Sequence, residues 1–269
     1  MISPVEYVHG YDPGESERLD VQANLISELV HSSTKFERHC RILEVGCGTG
    51  AQTISLARNN PTARIVAFDR SPDSLARASA RLAESATDNV DLIQADVESL
   101  SFEPESFDHA FVCFVLEHLE SPLSALRRLR ALIRPGGSIT VFEGDHGSTY
   151  FSPDDSAARR AIDAQAELQR RAGGNAMVGR QVYPLLAAAG YRAVRVQPCV
   201  IYVDGSRPDL ADAFTRQIFT AMIAGVRERV IDGGLIEREM FDDGLRALGR
   251  AAEEDGVFSY TFFKAHAMR

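Results

Sequence analysis

Cysteine is sparse in this chain of 269 residues, and Cys40, Cys47, Cys113 and Cys199 are scattered with no C-x-x-C spacing. That spacing argues against both a disulfide framework and a zinc site, and leaves buried thiols as the reading. No apolar run approaches the roughly 20 residues that cross a bilayer, and Met1 to Gly14 is polar and aromatic rather than signal-like. A soluble, cytoplasmic protein with no membrane partner is expected. Positive charge is also short: the net charge is −9, and Lys35 and Lys264 are the only lysines. A polyanion needs a basic face, so nucleic acid is disfavoured as a partner. Low-complexity tracts are missing too. What remains is ordinary globular composition, 45% hydrophobic and 25% charged, enough for one large domain or a domain with a cap.

Hydrophobic periodicity predicts alternating elements. Leu19, Ala23, Ile26 and Val30 recur at helical spacing between Ser16 and His31, a helix suited to a lid. Arg41 to Val45 reads as a strand, Gly46 to Gly50 as a glycine turn, and Ala51 to Arg58 as a helix stopped by Asn59-Asn60-Pro61. The unit repeats with a strand at Arg64 to Asp69 and a helix at Ser74 to Glu84, then with strands at Val90 to Ala95 and Phe107 to Phe114. Ser121-Pro122 opens a further helix as N-cap and first position, with Leu123, Leu126, Leu129 and Leu132 on its buried face. Arg134-Pro-Gly-Gly137 ends it, and a fifth strand is expected over Ser138 to Glu143. Beyond lie helices to Ala189, a strand from Val194 to Val203, helical stretches between Asp209 and Glu254, and a last strand from Phe258 to Ala265. Strands alternating with helices imply parallel pairing with right-handed crossovers. The expected fold is therefore α/β, a doubly wound and mainly parallel seven-stranded sheet of Rossmann-like kind with helical cap insertions. Residues 1–38 form the N-terminal lid and helix, 39–150 the cofactor-binding core, and 151–269 the cap insertions with the last two strands.

The glycines of Glu44-Val-Gly-Cys-Gly-Thr-Gly50 sit where the first strand meets its helix, the place at which open α/β sheets bind ligands. Gly46-x-Gly48-x-x-Ala51 with Asp69 about 20 residues on also satisfies the looser dinucleotide fingerprint. The glycines alone do not choose between cofactors, since Asp69 suits the paired ribose hydroxyls of either. Gln94-Ala-Asp-Val97 adds a carboxylate beside an apolar residue where an adenine ring would lie. Together, Glu44, Gly46 to Gly50, Asp69 and Asp96 resemble the successive cofactor motifs of class I S-adenosylmethionine-dependent methyltransferases. Val115-Leu-Glu-His-Leu119 and Arg134-Pro-Gly-Gly137 resemble that family's next landmarks. More narrowly, Tyr7-Val-His-Gly-Tyr11, Glu143-Gly-Asp-His-Gly-Ser148, Gly179 to Leu186 and Phe258 to Ala265 resemble a prokaryotic group of small-molecule methyltransferases.

The resemblance implies S-adenosyl-L-methionine as cofactor and a small-molecule methyl acceptor with an O, N or C nucleophile, in specialised metabolism. It implies that the glycine loop holds the methionine end, Asp69 the ribose and Asp96-Val97 the adenine. Tyr11, Arg18, Gln22, Glu44, Gly46, Gly48, Gly50, Gln52, Asp69, Arg70, Asp96, Val97, Phe114 and His118 are the candidate cofactor residues. Tyr7, His9 and Tyr11 suit a sulfonium, whose charge is attracted to ring faces, and equally suit core packing. Arg18 and Gln22, at i and i+4, share a helix face.

Methyl transfer is an in-line displacement governed by alignment and exclusion of water, and no metal is called for. A hydroxyl or protonated amine acceptor needs a base. His146 is the first candidate, Asp145 its orienting partner, and Glu143 completes the catalytic set. Two other readings stand beside this one. A nicotinamide-dependent oxidoreductase is disfavoured, because no Ser/Tyr-x-x-x-Lys catalytic pair is expected and only two lysines are present. A non-catalytic partner subunit would not need Asp69 and Asp96 aimed at a ligand. A homodimer is left open.

Overall fold

The computed structural model describes residues 13–269, so the expectations placed on Tyr7, His9 and Tyr11 lie outside the described residues. The chain runs α1 (Pro13–His31), β1 (Arg41–Val45), α2 (Ala51–Asn59), β2 (Arg64–Asp69), α3 (Pro72–Glu84), β3 (Val90–Gln94), β4 (Phe107–Cys113), α4 (Pro122–Leu132) and β5 (Ile133–Ser152). It continues through α5 (Ser156–Arg171), α6 (Val182–Ala188), β6 (Arg192–Asp204), α7 (Pro208–Ala211), a π-helical stretch (Asp212–Thr220), α8 (Ala221–Ala224), α9 (Arg227–Asp232), α10 (Arg238–Arg250) and β7 (Val257–Met268). Seven strands form one sheet in the order β3-β2-β1-β4-β5-β7-β6. The first five pair in parallel, and β7 runs antiparallel between β5 and β6.

Parallel strands covered on both faces need continuous apolar runs. In β1 every residue from Ile42 to Val45 is buried, and successive side chains serve opposite layers. Ile42 packs with Ile26, Leu56 and Phe111 on one face, and Leu43 with Val66, Ala110 and Leu126 on the other. The first layer extends into the C-terminal helices through Phe214 and Phe241 and onto β7 through Phe258. Local chemistry sets the helix starts. Ser71 accepts from the Ser74 backbone N–H ahead of Pro72, and the Asp155 carboxylate accepts from Ala157 and Ala158. Ser121 precedes Pro122 as expected but makes no side-chain cap bond, so proline alone presets that helix.

The largest departure from the sequence reading is β5, expected to stop at Glu143 and found to reach Ser152. Gly144, Asp145 and Gly147 read as turn residues, yet β7 supplies ladder partners on both sides of a register shift between Asp145 and Tyr150. That irregularity re-aims side chains out of the ladder, as bulges do beside functional sites. His146 falls within this irregularity and has no ladder partner in β7.

Candidate cofactor and acceptor site

A cavity of about 260 Å³ opens at the carboxyl ends of β1, β2, β4 and β5, roofed by α1 and the π-helical stretch. Its floor is the glycine loop. Gly46 and Gly48 take φ of 63° and 53°, in the left-handed region that side chains rarely adopt. A Cβ on Gly46 would lie 2.8 Å from Val115 Cγ2, whereas one on Gly48 would meet only open space. Gly46 thus lets the Val115 loop close in, and Gly48 leaves bare backbone facing the cavity. Gly50 departs from expectation: it does not line the cavity, and its Cα is packed against Ala78 of α3.

Asp69 ends β2 with both oxygens oriented by backbone. Oδ2 accepts from Gly48 N–H at 2.9 Å and Oδ1 from Ser71 N–H at 2.9 Å, and the remaining lone pairs are available to hydroxyls of a ligand. Glu44 is buried at the end of β1, and its Oε2 has no partner. Burial, with the nearby charge of Asp69, pushes its carboxyl up to about 8. A buried carboxylate oxygen without a donor is what a ligand ammonium would satisfy. Asp96 caps the turn at 97–99 by accepting from Glu98 N–H, and Val97 lies buried beside it.

Arg18 donates to Gln22 at 2.7 Å, and both line the cavity from α1. Gln52 lines it too, although its Oε1 is bonded to His31 Nε2 at 2.7 Å, and burial of that imidazole lowers its pKa to about 4. Arg70, Phe114 and His118 complete the expected cofactor residues that reach the cavity. Phe114 holds an uncommon positive φ of 56°, which turns its ring edge-on to Phe142 at the end of β4.

The three catalytic candidates part company. Glu143 is fully buried outside the cavity, where Oε1 accepts from Val115 and Leu116 N–H at 3.0 and 2.8 Å. It holds the Phe114 to His118 loop in place. Burial and the adjacent Glu117 raise its pKa. Asp145 turns away as well. Its carboxylate receives Arg180 through two bonds, at 2.6 and 2.8 Å, and also the Gly147 N–H. Only His146 lines the cavity, and its Nδ1 meets Gln165 Oε1 at 2.8 Å rather than Asp145. Burial lowers its pKa.

Sequence reasoning missed the far wall of Phe214, Phe219, Tyr260 and Phe262, while Glu117 falls within the Phe114 to His118 stretch expected to border the site. The Phe258, Tyr260, Phe262 alternation in β7 was a readable signal of one apolar face, and so was the Gln165/Gln169 pair at i and i+4 on an otherwise alanine-rich buried helix face. One expectation fails outright. A Tyr-x-x-x-Lys spacing does occur, Tyr260 to Lys264, but on a strand, where four residues span about 13 Å. Tyr260 lines the cavity while Lys264 Nζ binds Leu29 O and Ser32 Oγ, so the two do not form a catalytic pair. Among the described residues no cluster of His, Cys, Asp and Glu could hold a metal ion, and no helix is long and apolar enough to cross a membrane.

Strand order, a reversed seventh strand and a cavity at the strand ends define a doubly wound, Rossmann-like α/β fold. Residues 42–137 match the family described as Methyltransferase domain. The chain is 29% identical over 237 residues to the malonyl-[acyl-carrier protein] O-methyltransferase of Paenibacillus sp. strain JDR-2, covering 83% of this chain and 82% of that protein. Among solved structures it resembles the [4+2]-cyclase SpnF, with a TM-score of 0.56 and 20% identity over 93% of this chain and 80% of that one. It also resembles phosphoethanolamine N-methyltransferase 2 of Haemonchus contortus in complex with S-adenosyl-L-methionine, with a TM-score of 0.56 and 17% identity over 92% and 52%. At these identities the structural likeness establishes the fold alone. The chain spans about half or less of the first curated relatives it matches, 52%, 35% and 42% of their lengths.

Proposed function

We propose that the protein is an S-adenosylmethionine-dependent methyltransferase acting on a small, largely apolar acceptor. The observation that carries this reading is the pairing of an unsatisfied buried Glu44 oxygen with the bare backbone of Gly48, inside the stretch that matches a methyltransferase domain. Both fit the cationic, amino-acid end of S-adenosylmethionine. Asp69 would take the ribose hydroxyls and Asp96-Val97 the adenine, with Arg18 and Gln22 closing from α1. When bound, the cofactor supplies a sulfonium methyl group that passes to a nucleophile in line, the sulfur keeping the electrons of the broken bond.

The rest is done by this chain's residues. Phe214, Phe219, Tyr260 and Phe262 exclude water and present an apolar wall to the acceptor. The arginines that line the cavity, Arg18, Arg70 and Arg77, belong to α1, the end of β2 and α3. None comes from the segments that carry His146 and the aromatic wall, which favours a neutral acceptor such as a phenol or enol over a carboxylate. His146 takes the proton that the acceptor loses. In this division of labour residues 1–38 serve as lid, 39–150 hold the cofactor and 151–269 shape the acceptor chamber. A metabolite of specialised metabolism, handled in the cytoplasm, fits such a chamber.

Thermal melting with S-adenosylhomocysteine against NADH tests the cofactor. The first raises the melting temperature and the second does not; the reverse result overturns the reading. A screen of neutral hydroxylated aromatics, read by mass spectrometry, is then expected to show a gain of about 14 mass units on one of them. Binding of S-adenosylhomocysteine with no methylated product from any acceptor class would point to a non-catalytic use of the fold.

A further inference from the structure

A buried polar chain crosses the wall of the acceptor chamber and ends on His146. Glu117 lies in the short turn at 116–118 after β4, Gln169 and Gln165 lie on successive turns of α5, and His146 lies in the break of β5. Gln169 Nε2 donates to Glu117 O at 2.9 Å and to Glu117 Oε2 at 3.3 Å. Gln165 Nε2 donates to Gln169 Oε1 at 3.0 Å, and His146 Nδ1 stands 2.8 Å from Gln165 Oε1. Gln165 and Gln169 are almost wholly enclosed, at 0% and 1% exposure.

The polarity of this chain follows from its far end. A backbone carbonyl and a carboxylate oxygen both accept, so Gln169 must present its amide N–H to Glu117 and its carbonyl to Gln165. Gln165 must then present its own N–H to Gln169 and its carbonyl to His146. Turning either amide over would set oxygen against oxygen at side chains closed off from bulk solvent. A carbonyl facing Nδ1 requires a proton on Nδ1.

We propose that Gln165 and Gln169 are positioning residues that hold His146 as its Nδ1–H tautomer and so present the Nε2 lone pair to the acceptor. The role of the lone pair rests on the methyltransferase reading; the tautomer does not. The backbone on either side is pinned, since His146 N–H donates to Ala176 O and His146 O accepts from Thr149 Oγ1. Among the described residues Nε2 has no hydrogen-bond partner. In the step it serves, the acceptor's O–H bond breaks, its electron pair stays on oxygen and its proton goes to Nε2, leaving an imidazolium. Glu117 and Asp145 favour that cation by their charge, His118 opposes it, and Tyr260 faces the ring from β7. Burial outweighs these charges and lowers the imidazole's pKa, so the resting ring is neutral and ready to accept.

Nitrogen NMR on the histidine-labelled full chain at neutral pH tests the tautomer with no ligand present, and His146→Gln identifies the signal. The expected spectrum shows His146 protonated on Nδ1 and bare on Nε2, against the preference of free neutral imidazole for Nε2–H. An Nε2–H signature in the unaltered protein overturns the proposal. Gln165→Leu is expected to make Nε2–H the larger fraction, and an unchanged tautomer in that variant also overturns it. Gln165→Glu, entering as the neutral acid whose O–H meets Gln169 Oε1, keeps an acceptor at Nδ1 and is expected to retain the Nδ1–H tautomer; an Nε2–H signature in that variant overturns the proposal. Should the leucine variant fail to fold, the unaltered protein and the glutamate variant still decide. Loss of S-adenosylhomocysteine binding by the unaltered protein would sink the proposed function while leaving the tautomer result standing.

Discussion

Single residues in this site carry two duties at once, and Asp69 is the clearest case. Its oxygens are aimed by Gly48 and Ser71 N–H, so a ribose would meet a carboxylate that has little orientation left to lose. Asp69→Ala is expected to weaken S-adenosylmethionine by about 1.5–3 kcal/mol, roughly 10- to 150-fold in Kd, by calorimetry on folded protein. An unchanged Kd would remove Asp69 from the ribose site. Asp145 teaches the opposite lesson. It neighbours His146 in sequence, but adjacent strand residues point to opposite faces, and Arg180 claims its carboxylate. Proximity in the chain was no guide to proximity in the chamber.

At the scale of elements, α1 has two differently anchored halves. Ile26 and Val30 are buried in the core, and Lys264 reaches from β7 to the Leu29 carbonyl and Ser32. Arg18, Leu19 and Gln22 instead line the cavity. A lid built this way closes at one end. Hydrogen exchange with and without S-adenosylhomocysteine is expected to show several-fold greater protection over residues 18–23 on binding and little change over 26–31. Equal protection of both halves in both states would rule out closure by α1. The same packing explains why α1 was legible from its apolar spacing while its role as roof was not. Periodicity locates a buried face, but it does not say which wall that face meets.

For the molecule as a whole, Glu44 ties stability to pH. Its carboxyl titrates near 4.5 when exposed in the unfolded chain and near 8 when folded, so between those values the folded state binds the extra proton. Stability from this group is fully present below about pH 4.5 and is lost as pH rises through about 8. Urea unfolding of the ligand-free protein is expected to show an unfolding free energy that falls across this window by up to a few kcal/mol. Glu44→Gln should flatten that fall and be the more stable form at pH 8. Identical pH slopes for the two proteins would mean that Glu44 is not held neutral. Such a cost is tolerable where a ligand ammonium relieves it, in keeping with the cationic cofactor proposed above.

The strands β1, β2 and β4, the helix between Ser16 and His31, the glycine turn and the parallel pairing of the first strands were all determined by the sequence alone. Local rules suffice there: apolar runs, proline and serine at helix starts, and glycines where φ turns positive. Asp69 was legible for the same reason, since it stands at the end of a strand whose neighbours were already placed. What tertiary structure decided was everything that depends on pairing between distant segments. The extension of β5 to Ser152 exists because β7 offers hydrogen-bond partners some 110 residues later in the chain, as in the pairing of Phe151 with Phe258. The register shift within it leaves His146 without a ladder partner, α5 brings Gln165 to that ring from 19 positions away, and Glu117 is reached by Gln169 across 52. Hydrogen-bond polarity is a property of such closed chains of donors and acceptors, and it comes into being only when the fold brings their members together.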